Sequence, residues 1–399
     1  MTHPVGLFPF PAGLCVVDDT LPGAQEVRDA LLAGVLPEPW PESFAWLALA
    51  HDGEPARAAA ALPSEGSRPI AAYNRYVLAG DLDTAARADA DAGLAALWDV
   101  VAYSTGERVT PPADDEALPG EVRAMIASAL AGHAVQDRDI DRATTLLTGG
   151  ADAAQEVSPV LAAALRAEAA GLRLEHGGDP REAVAALDAA LAVLDPTELT
   201  TTRAEVHLHR GSARHELAAA GAVPLQYAVE DYHATLRLVS KDSDPHTWAN
   251  AQQGLATAHL TMPMSSANDR LRIGVAIQGL RAALEVFTRE SAPRQWASTT
   301  LNLANALAYA PSAHPAENLA EAVELYSEIL EVRSAATEPL GRARVLANLG
   351  TCLAHLGRFD DAQTRLEESR RLFSRAGDEA SAATVAQAMA DMTSHREQA

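Results

Sequence analysis

The chain has 399 residues and a formal net charge of −23 at pH 7, with 31 Lys and Arg against 54 Asp and Glu. This balance argues against unassisted binding to nucleic acid or to an anionic membrane, since both need Lys and Arg opposite phosphate. Hydrophobic residues make up 48% of the chain and aromatic residues only 5%. Alanine, the best helix former, is very common. The composition therefore predicts an all-α protein.

The two cysteines, Cys15 and Cys352, lie far apart and form no C-x-x-C motif. They predict no disulfide framework, and a reducing cytoplasm is the compartment we expect. No basic residue precedes Arg28. A secretory signal usually begins with a basic segment, so this N-terminus is not typical of one. No window approaches the roughly 18 consecutive apolar residues of a membrane-spanning helix. We therefore expect a cytoplasmic protein that does not enter a membrane.

The N-terminal third carries weaker signals than the rest. Prolines in the first 20 residues favour an extended arm over a helix. Permissive patterns of apolar and small residues predict three helix pairs, near 46–62, 73–92 and 131–147. The Pro-rich, acidic stretch 104–120 predicts a loop or linker. We therefore set residues 1–120 apart as an N-terminal helical region with an extended arm and a linker.

Internal repeats are clearest at residues 346–373. Apolar and small residues recur there at fixed offsets on both sides of a turn: Leu346, Leu349, Gly350, Leu353, Gly357, Ala362, Leu366 and Ser369. Gly350 and Ala362 are expected to face each other where two helices cross, so neither can carry bulk. The unit resembles the tetratricopeptide repeat (TPR) family, which implies an all-α, right-handed superhelical solenoid of antiparallel helix pairs.

Further units with the same offsets precede this one. One spans 167–190, and three longer units pass through Arg210-Gly211, Trp248-Ala249 and Trp296-Ala297. Their extra length is predicted to lie partly in turns at 262–266 and 311–315. Apolar residues after position 378 are typical of the capping helix that such arrays need. We therefore predict a solenoid over 121–377, followed by a capping helix and tail over 378–399.

Two pairs of sequence segments resemble particular groups of repeat proteins. A-L-E-V-F-T-R-E-S-A-P-R-Q-W-A (283–297) and N-L-A-N-A-L-A-Y (302–309) are similar to the long-repeat arrays beside bacterial CHAT-type protease domains. M-P-M-S-S-A-N-D-R-L-R-I-G-V-A-I-Q (262–278) and A-Y-A-P-S-A-H-P (308–315) are similar to TPR accessory proteins encoded near nickel–iron hydrogenases. The second likeness implies a role in assembling or docking a metalloenzyme, and it says nothing about catalysis by this chain.

In the TPR family the first helix of each pair lines a concave groove, with positions two, five, six, nine, twelve and thirteen facing the ligand. When these positions are assigned in this sequence, the resemblance implies a strip of polar residues along the first helices. An earlier unit adds His209, Ser212 and His215 at the same positions. The residues of the strip are Asn250, Gln253, Thr257, Asn302, Asn305, Tyr309, Arg344, Asn348, Thr351 and His355.

The asparagine amides of this strip could clamp the N–H and C=O groups of a peptide. The guanidinium group of Arg344 could hold a carboxylate. Because the chain is acidic, we expect a protein or peptide partner with a neutral or basic segment. The alternative is that Asn302 and Asn348 bond to neighbouring backbone and support helix packing.

Motifs of known enzyme chemistry are not found: there is no P-loop, dinucleotide fingerprint, nucleophile elbow or H-E-x-x-H. His207, His209 and His215 do not share one helix face, which disfavours a metal site. We therefore expect no catalytic residue, no cofactor and no metal.

Two functions remain open on this basis. The first is a scaffold or accessory factor that binds a partner segment in the groove and could serve a metalloenzyme such as a hydrogenase. The second is a regulatory TPR protein that senses a peptide or a small molecule. The oligomeric state is left open.

Overall fold

The computed structural model of the chain describes residues 3–4, 8, 12–113, 115–263, 269–309 and 314–398. These residues are almost entirely helical, which confirms the predicted all-α class. They form two compact units, residues 1–238 and 239–399, here called unit 1 and unit 2. The predicted boundary at residue 120 is a different division, and it stays a prediction.

Unit 1 begins with short elements. Strands β1 (His3–Pro4) and β2 (Val16–Val17) pair antiparallel, and a 3-10 turn lies between them at Ala12–Leu14. Asn74 fixes this segment, because its side chain accepts from Val16 N at 2.8 Å and donates to Val16 O at 2.9 Å. Six helices follow: α1 (Ala24–Leu32), α2 (Ala45–His51), α3 (Pro55–Ala60), α4 (Arg68–Ala79), α5 (Thr84–Ala88) and α6 (Ala92–Ser104).

Between α6, which ends at Ser104, and the next helix, which begins at Gly120, the described residues form no helix. Asp114 lies outside the described residues. Three longer antiparallel pairs complete unit 1: α7 (Gly120–Gln136) with α8 (Ile140–Ala154), α9 (Pro159–Glu175) with α10 (Pro180–Leu194), and α11 (Thr200–Ala219) with α12 (Gln226–Leu238).

Unit 2 repeats the same arrangement. Its pairs are α13 (Pro245–Thr261) with α14 (Asp269–Leu284), α15 (Pro293–Tyr309) with α16 (Pro315–Val332), and α17 (Pro339–His355) with α18 (Phe359–Arg375). The predicted capping helix is α19 (Glu379–Gln398), which packs on α18 and buries Val385 and Met392. The predicted turns at 262–266 and 311–315 fall mostly on residues 264–268 and 310–313, which lie outside the described residues.

The helix crossings explain the small residues of the repeat. A Cβ on Gly350 would lie 2.7 Å from Leu366 Cγ and 3.3 Å from Ala362 O, so α17 and α18 touch there as predicted. In α9 the corresponding Gly171 has a different neighbour. A Cβ there would lie 2.9 Å from the ring of His209 on α11. The same repeat position therefore contacts different helices in these two repeats.

Candidate partner-binding grooves

The predicted polar strip of unit 2 lies on the first helices of its pairs, and hydrogen bonds join α13 to α15. Gln253 Nε2 donates to Ser298 Oγ at 3.2 Å, and Gln253 Oε1 accepts from Thr299 Oγ1 at 2.9 Å. One turn further along, Asn302 Nδ2 donates to Thr257 Oγ1 at 3.3 Å. Three predicted residues thus lie in contact with the neighbouring first helix.

A second set of bonds joins α15 to α17 through Asn305. Its Oδ1 accepts from Asn348 Nδ2 at 2.9 Å and from Tyr326 OH at 2.6 Å. Burial, with the nearby thiol of Cys352, raises the pKa of Tyr326 well above its ordinary value, so the phenol keeps its proton and donates. These bonds hold the first helices of unit 2 in one row.

This pattern bears on the packing role considered from the sequence. Asn302 and Asn348 do bridge neighbouring helices, and these bonds join them to the side chains of Thr257 and Asn305. Each amide uses one N–H in this way. An amide has two donors and an acceptor, so the same side chains can support packing and still present polar groups to a ligand.

Other members of the strip are more open to solvent. Tyr309 is 61% exposed, and Arg344 and His355 are also exposed, while Asn250 is half-buried. The Thr351 hydroxyl donates to Ala347 O of its own helix at 3.0 Å. The open groups therefore lie beside the hydrogen-bonded row rather than within it.

Arg344 also acts on the start of α19. Hydrogen bonds from Ser381 are the main cause that holds the pKa of Asp378 below its ordinary value, and the charge of Arg344 adds to the effect. The charge of Arg344 therefore acts on a carboxylate at the start of α19.

Unit 1 contains a cavity of about 650 Å³ on the inner face of its own first helices. Its walls come mainly from α7, α9 and α11, and Gly13 and Leu14 contribute from the N-terminal segment. The lining is mostly apolar, but it includes Glu168, Glu175, Glu205 and His209.

The electrostatics of this cavity follow from its concave walls. Glu168 is reached by solvent, yet the protein atoms around it displace water and raise the pKa of its carboxyl. Burial also lowers the pKa of His209, although the charge of Glu175, 3.9 Å away, acts in the opposite direction. Both shifts reflect a site in which charge is poorly solvated.

His209 was predicted from its groove position, whereas the glutamates were not, although the same offsets locate them. Counted in the unit that contains Gly171, Glu168 and Glu175 occupy groove positions five and twelve. Glu205 occupies position two of the next unit. These groove positions were assigned only in later repeats, so the acidic residues that occupy them here were missed.

The three histidines considered as metal ligands have separate surroundings. His207 Nδ1 lies 3.2 Å from Asp231 Oδ1, His209 faces the cavity, and His215 Nδ1 lies 3.4 Å from Tyr232 OH. Among the described residues, no group of three or more His, Cys, Asp or Glu side chains is arranged to hold a metal ion. Within that same part of the chain, no helix is long and apolar enough to cross a membrane.

Consecutive helix pairs with a small residue at the crossings and an inner row of first helices define a TPR-like helical solenoid. Residues 297–375 match the family model described as "Tetratricopeptide repeat". A solved structure titled "Crystal Structure of P58(IPK) TPR Domain at 2.5 A" is similar at 16% identity, with 89% of this chain and 97% of that chain covered and a TM-score of 0.31. No curated protein matches. The repeat fold supports a role in protein–protein interaction.

Proposed function

We propose that the chain is a scaffold that binds a neutral or basic segment of a partner protein along the first helices of unit 2. One observation carries this proposal: residues predicted from groove positions lie side by side on α13, α15 and α17, held there by hydrogen bonds between helices. A row fixed in this way presents polar groups at low entropic cost, which favours binding.

The exposed groups beside the row supply the rest of the recognition. Tyr309 offers a large aromatic surface with a hydroxyl, a residue type that is enriched at interfaces. Arg344 offers a planar donor that suits carbonyl or carboxylate oxygens. Residues 239–399 carry 15 Lys and Arg against 19 Asp and Glu, so unit 2 is close to charge balance. That balance suits a partner segment without strong negative charge.

The test uses the full chain, tagged, with copurifying proteins identified from its own host. Substituting the asparagines would break the helix row, since Asn305 alone serves two donors. The better variant is therefore Tyr309→Ala with Arg344→Ala, which removes exposed groups. Arg365→Ala, at an exposed position on α18, is the matched control.

A segment of the retrieved partner is then titrated by fluorescence anisotropy. We expect the double variant to bind at least tenfold more weakly than wild type and the control to bind equally. A partner held with equal affinity by all three proteins would overturn the groove assignment. The likeness to hydrogenase accessory proteins has no support in the comparisons, so the proposed partner is defined by its chemistry alone.

The alternative function, sensing of a peptide or a small molecule, is favoured by a different observation. The cavity of unit 1 has the size of a small-ligand site. It shares no residue with the groove of unit 2.

A further inference from the structure

The cavity of unit 1 is closed along part of its rim by the N-terminal segment. Tyr73 OH donates to Leu14 O at 2.8 Å, and Asn74, which is 2% exposed, holds both polar groups of the Val16 backbone. Leu14 and Gly13 therefore stay at the cavity wall. An open solenoid groove accepts a long chain that runs through it, whereas this fixed wall favours a compact ligand.

The polar lining has one sign of charge. Glu168, Glu175 and Glu205 line the cavity together with His209, and no Lys or Arg is among the described residues that line it. Residues 1–238 as a whole carry 16 Lys and Arg against 35 Asp and Glu, so most of the chain's negative charge lies in unit 1. A concave site with one sign of charge and apolar walls concentrates ligands of the opposite sign.

The placement of the carboxylates follows from the helices. Short connections make α9 and α11 run in the same direction, and His209 lies against Gly171. Glu205 lies one turn before His209, and Glu168 lies about one turn before Gly171, so both carboxylates reach the same level of the cavity. The remaining wall is apolar and includes Leu165 and Leu172.

We propose that this cavity binds a small organic cation, an amine or guanidine with an apolar body. The glutamates would face the charged group, and the leucine and alanine side chains would pack against the body. A cavity of about 650 Å³ lies within the range that holds such ligands. The assignment does not depend on the proposed function of unit 2.

Three probes of matched shape test the charge requirement. These are 4-phenylbutylammonium, 4-phenylbutan-1-ol and 4-phenylbutyrate, each titrated into the full chain by isothermal calorimetry. We expect the cation to bind at least tenfold more tightly than the alcohol, and the carboxylate not to bind. Equal affinity for cation and alcohol would overturn the proposal.

Two variants locate the site. Glu168→Gln should weaken binding of the cation about tenfold, while Glu230→Gln, an exposed position inside α12, should leave it unchanged. Gly132→Phe should abolish it by filling the cavity. Gly132 lines the cavity inside α7, and an added Cβ there meets no described atom within 4 Å. The helix tolerates this change because Phe is a better helix former than Gly.

A peptide probe distinguishes a small-molecule ligand from a protein partner. An acetylated and amidated Leu-Arg-Leu peptide presents the same cationic chemistry on a chain. Binding of the amine probe that Gly132→Phe abolishes would support the proposal. Binding of the peptide with no binding of the amine would overturn it in favour of a protein partner. Retention of amine binding by both Glu168→Gln and Gly132→Phe, confirmed as folded by circular dichroism, would also overturn it.

Discussion

Replacing Asp231 with asparagine tests whether the buried ion pairs between α11 and α12 stabilise unit 1. The carboxylate is 1% exposed. It accepts from Arg210 Nη2 at 2.6 Å, from Arg210 Nε at 3.0 Å and from Arg214 Nη1 at 2.9 Å, and His207 Nδ1 lies 3.2 Å away. Asparagine has nearly the same shape but no charge, so the change removes the countercharge without leaving a cavity.

The expected loss of stability depends on which ion pairs the two arginines keep in the variant. Removing one partner of a buried ion pair costs about 3–5 kcal/mol. Asp188 also contacts both guanidinium groups, at 2.6 Å from Arg210 Nη1 and 3.4 Å from Arg214 Nη2, so neither loses all its countercharge. We therefore expect a loss in unfolding free energy near the lower end, about 3 kcal/mol.

The assay is urea denaturation of the full chain, followed by far-UV circular dichroism and fitted with separate transitions where the two units unfold apart. The transition of unit 1 should move to lower urea for Asp231→Asn, with Glu230→Gln unchanged within about 0.5 kcal/mol. A loss below about 1 kcal/mol would refute the reasoning. It would show that the arginines recover equivalent interactions with water or Asp188.

The same network makes a prediction about pH. Burial alone would raise the pKa of Asp231, but the hydrogen bonds from His207 and Arg210 and the charges of both arginines outweigh it and hold the pKa below the ordinary value of 3.8. A lowered folded pKa stabilises the fold above the ordinary value, and this contribution disappears as the pH falls through the folded pKa. The difference between wild type and Asp231→Asn should therefore shrink in acid.

The remaining predictions concern single sites. Gly350→Ala should lower the unfolding free energy by about 1–2 kcal/mol in the same urea experiment, because its Cβ would crowd Leu366. The control Gly274→Ala has no described neighbour within 4 Å and should lower it by nothing, so equal effects of the two variants would contradict this. Cys352, whose pKa burial raises to about 11, should resist iodoacetamide until urea unfolds the chain, as read by mass spectrometry. His215, whose pKa burial lowers, should titrate below 6.5 by NMR, so its contribution to stability is present above that pH and is lost as the pH falls.

The helix pairs could be read from the sequence because their determinants are local. Gly350, Gly357 and Leu366 sit at offsets set by one helix, one turn and the next helix, and the structure has α17 and α18 there. The short helices before residue 104 carried weaker patterns, and their number and bounds needed the structure. Gly171 shows the limit of the repeat rule, since its close neighbour is on α11 rather than on the paired helix.

The candidate sites depend on contacts that no local pattern encodes. Asn302 and Thr257 are 45 residues apart, and Asn348 and Asn305 are 43 apart. Offsets within a repeat could place each residue on an inner face, but they could not show which amide meets which hydroxyl. They also could not show that Leu14, held by Tyr73, closes part of the cavity that α7, α9 and α11 form.

By itself, the sequence determined an all-α array of paired helices, because helical periodicity, crossing glycines and turn residues act over a few tens of positions. It also determined that the chain is acidic, which restricts the charge of its partners. The stacking of successive first helices decided the rest. Only when α9 and α11 lie side by side do Glu168 and Glu205 share one cavity, whose surrounding protein atoms raise the pKa of the Glu168 carboxyl.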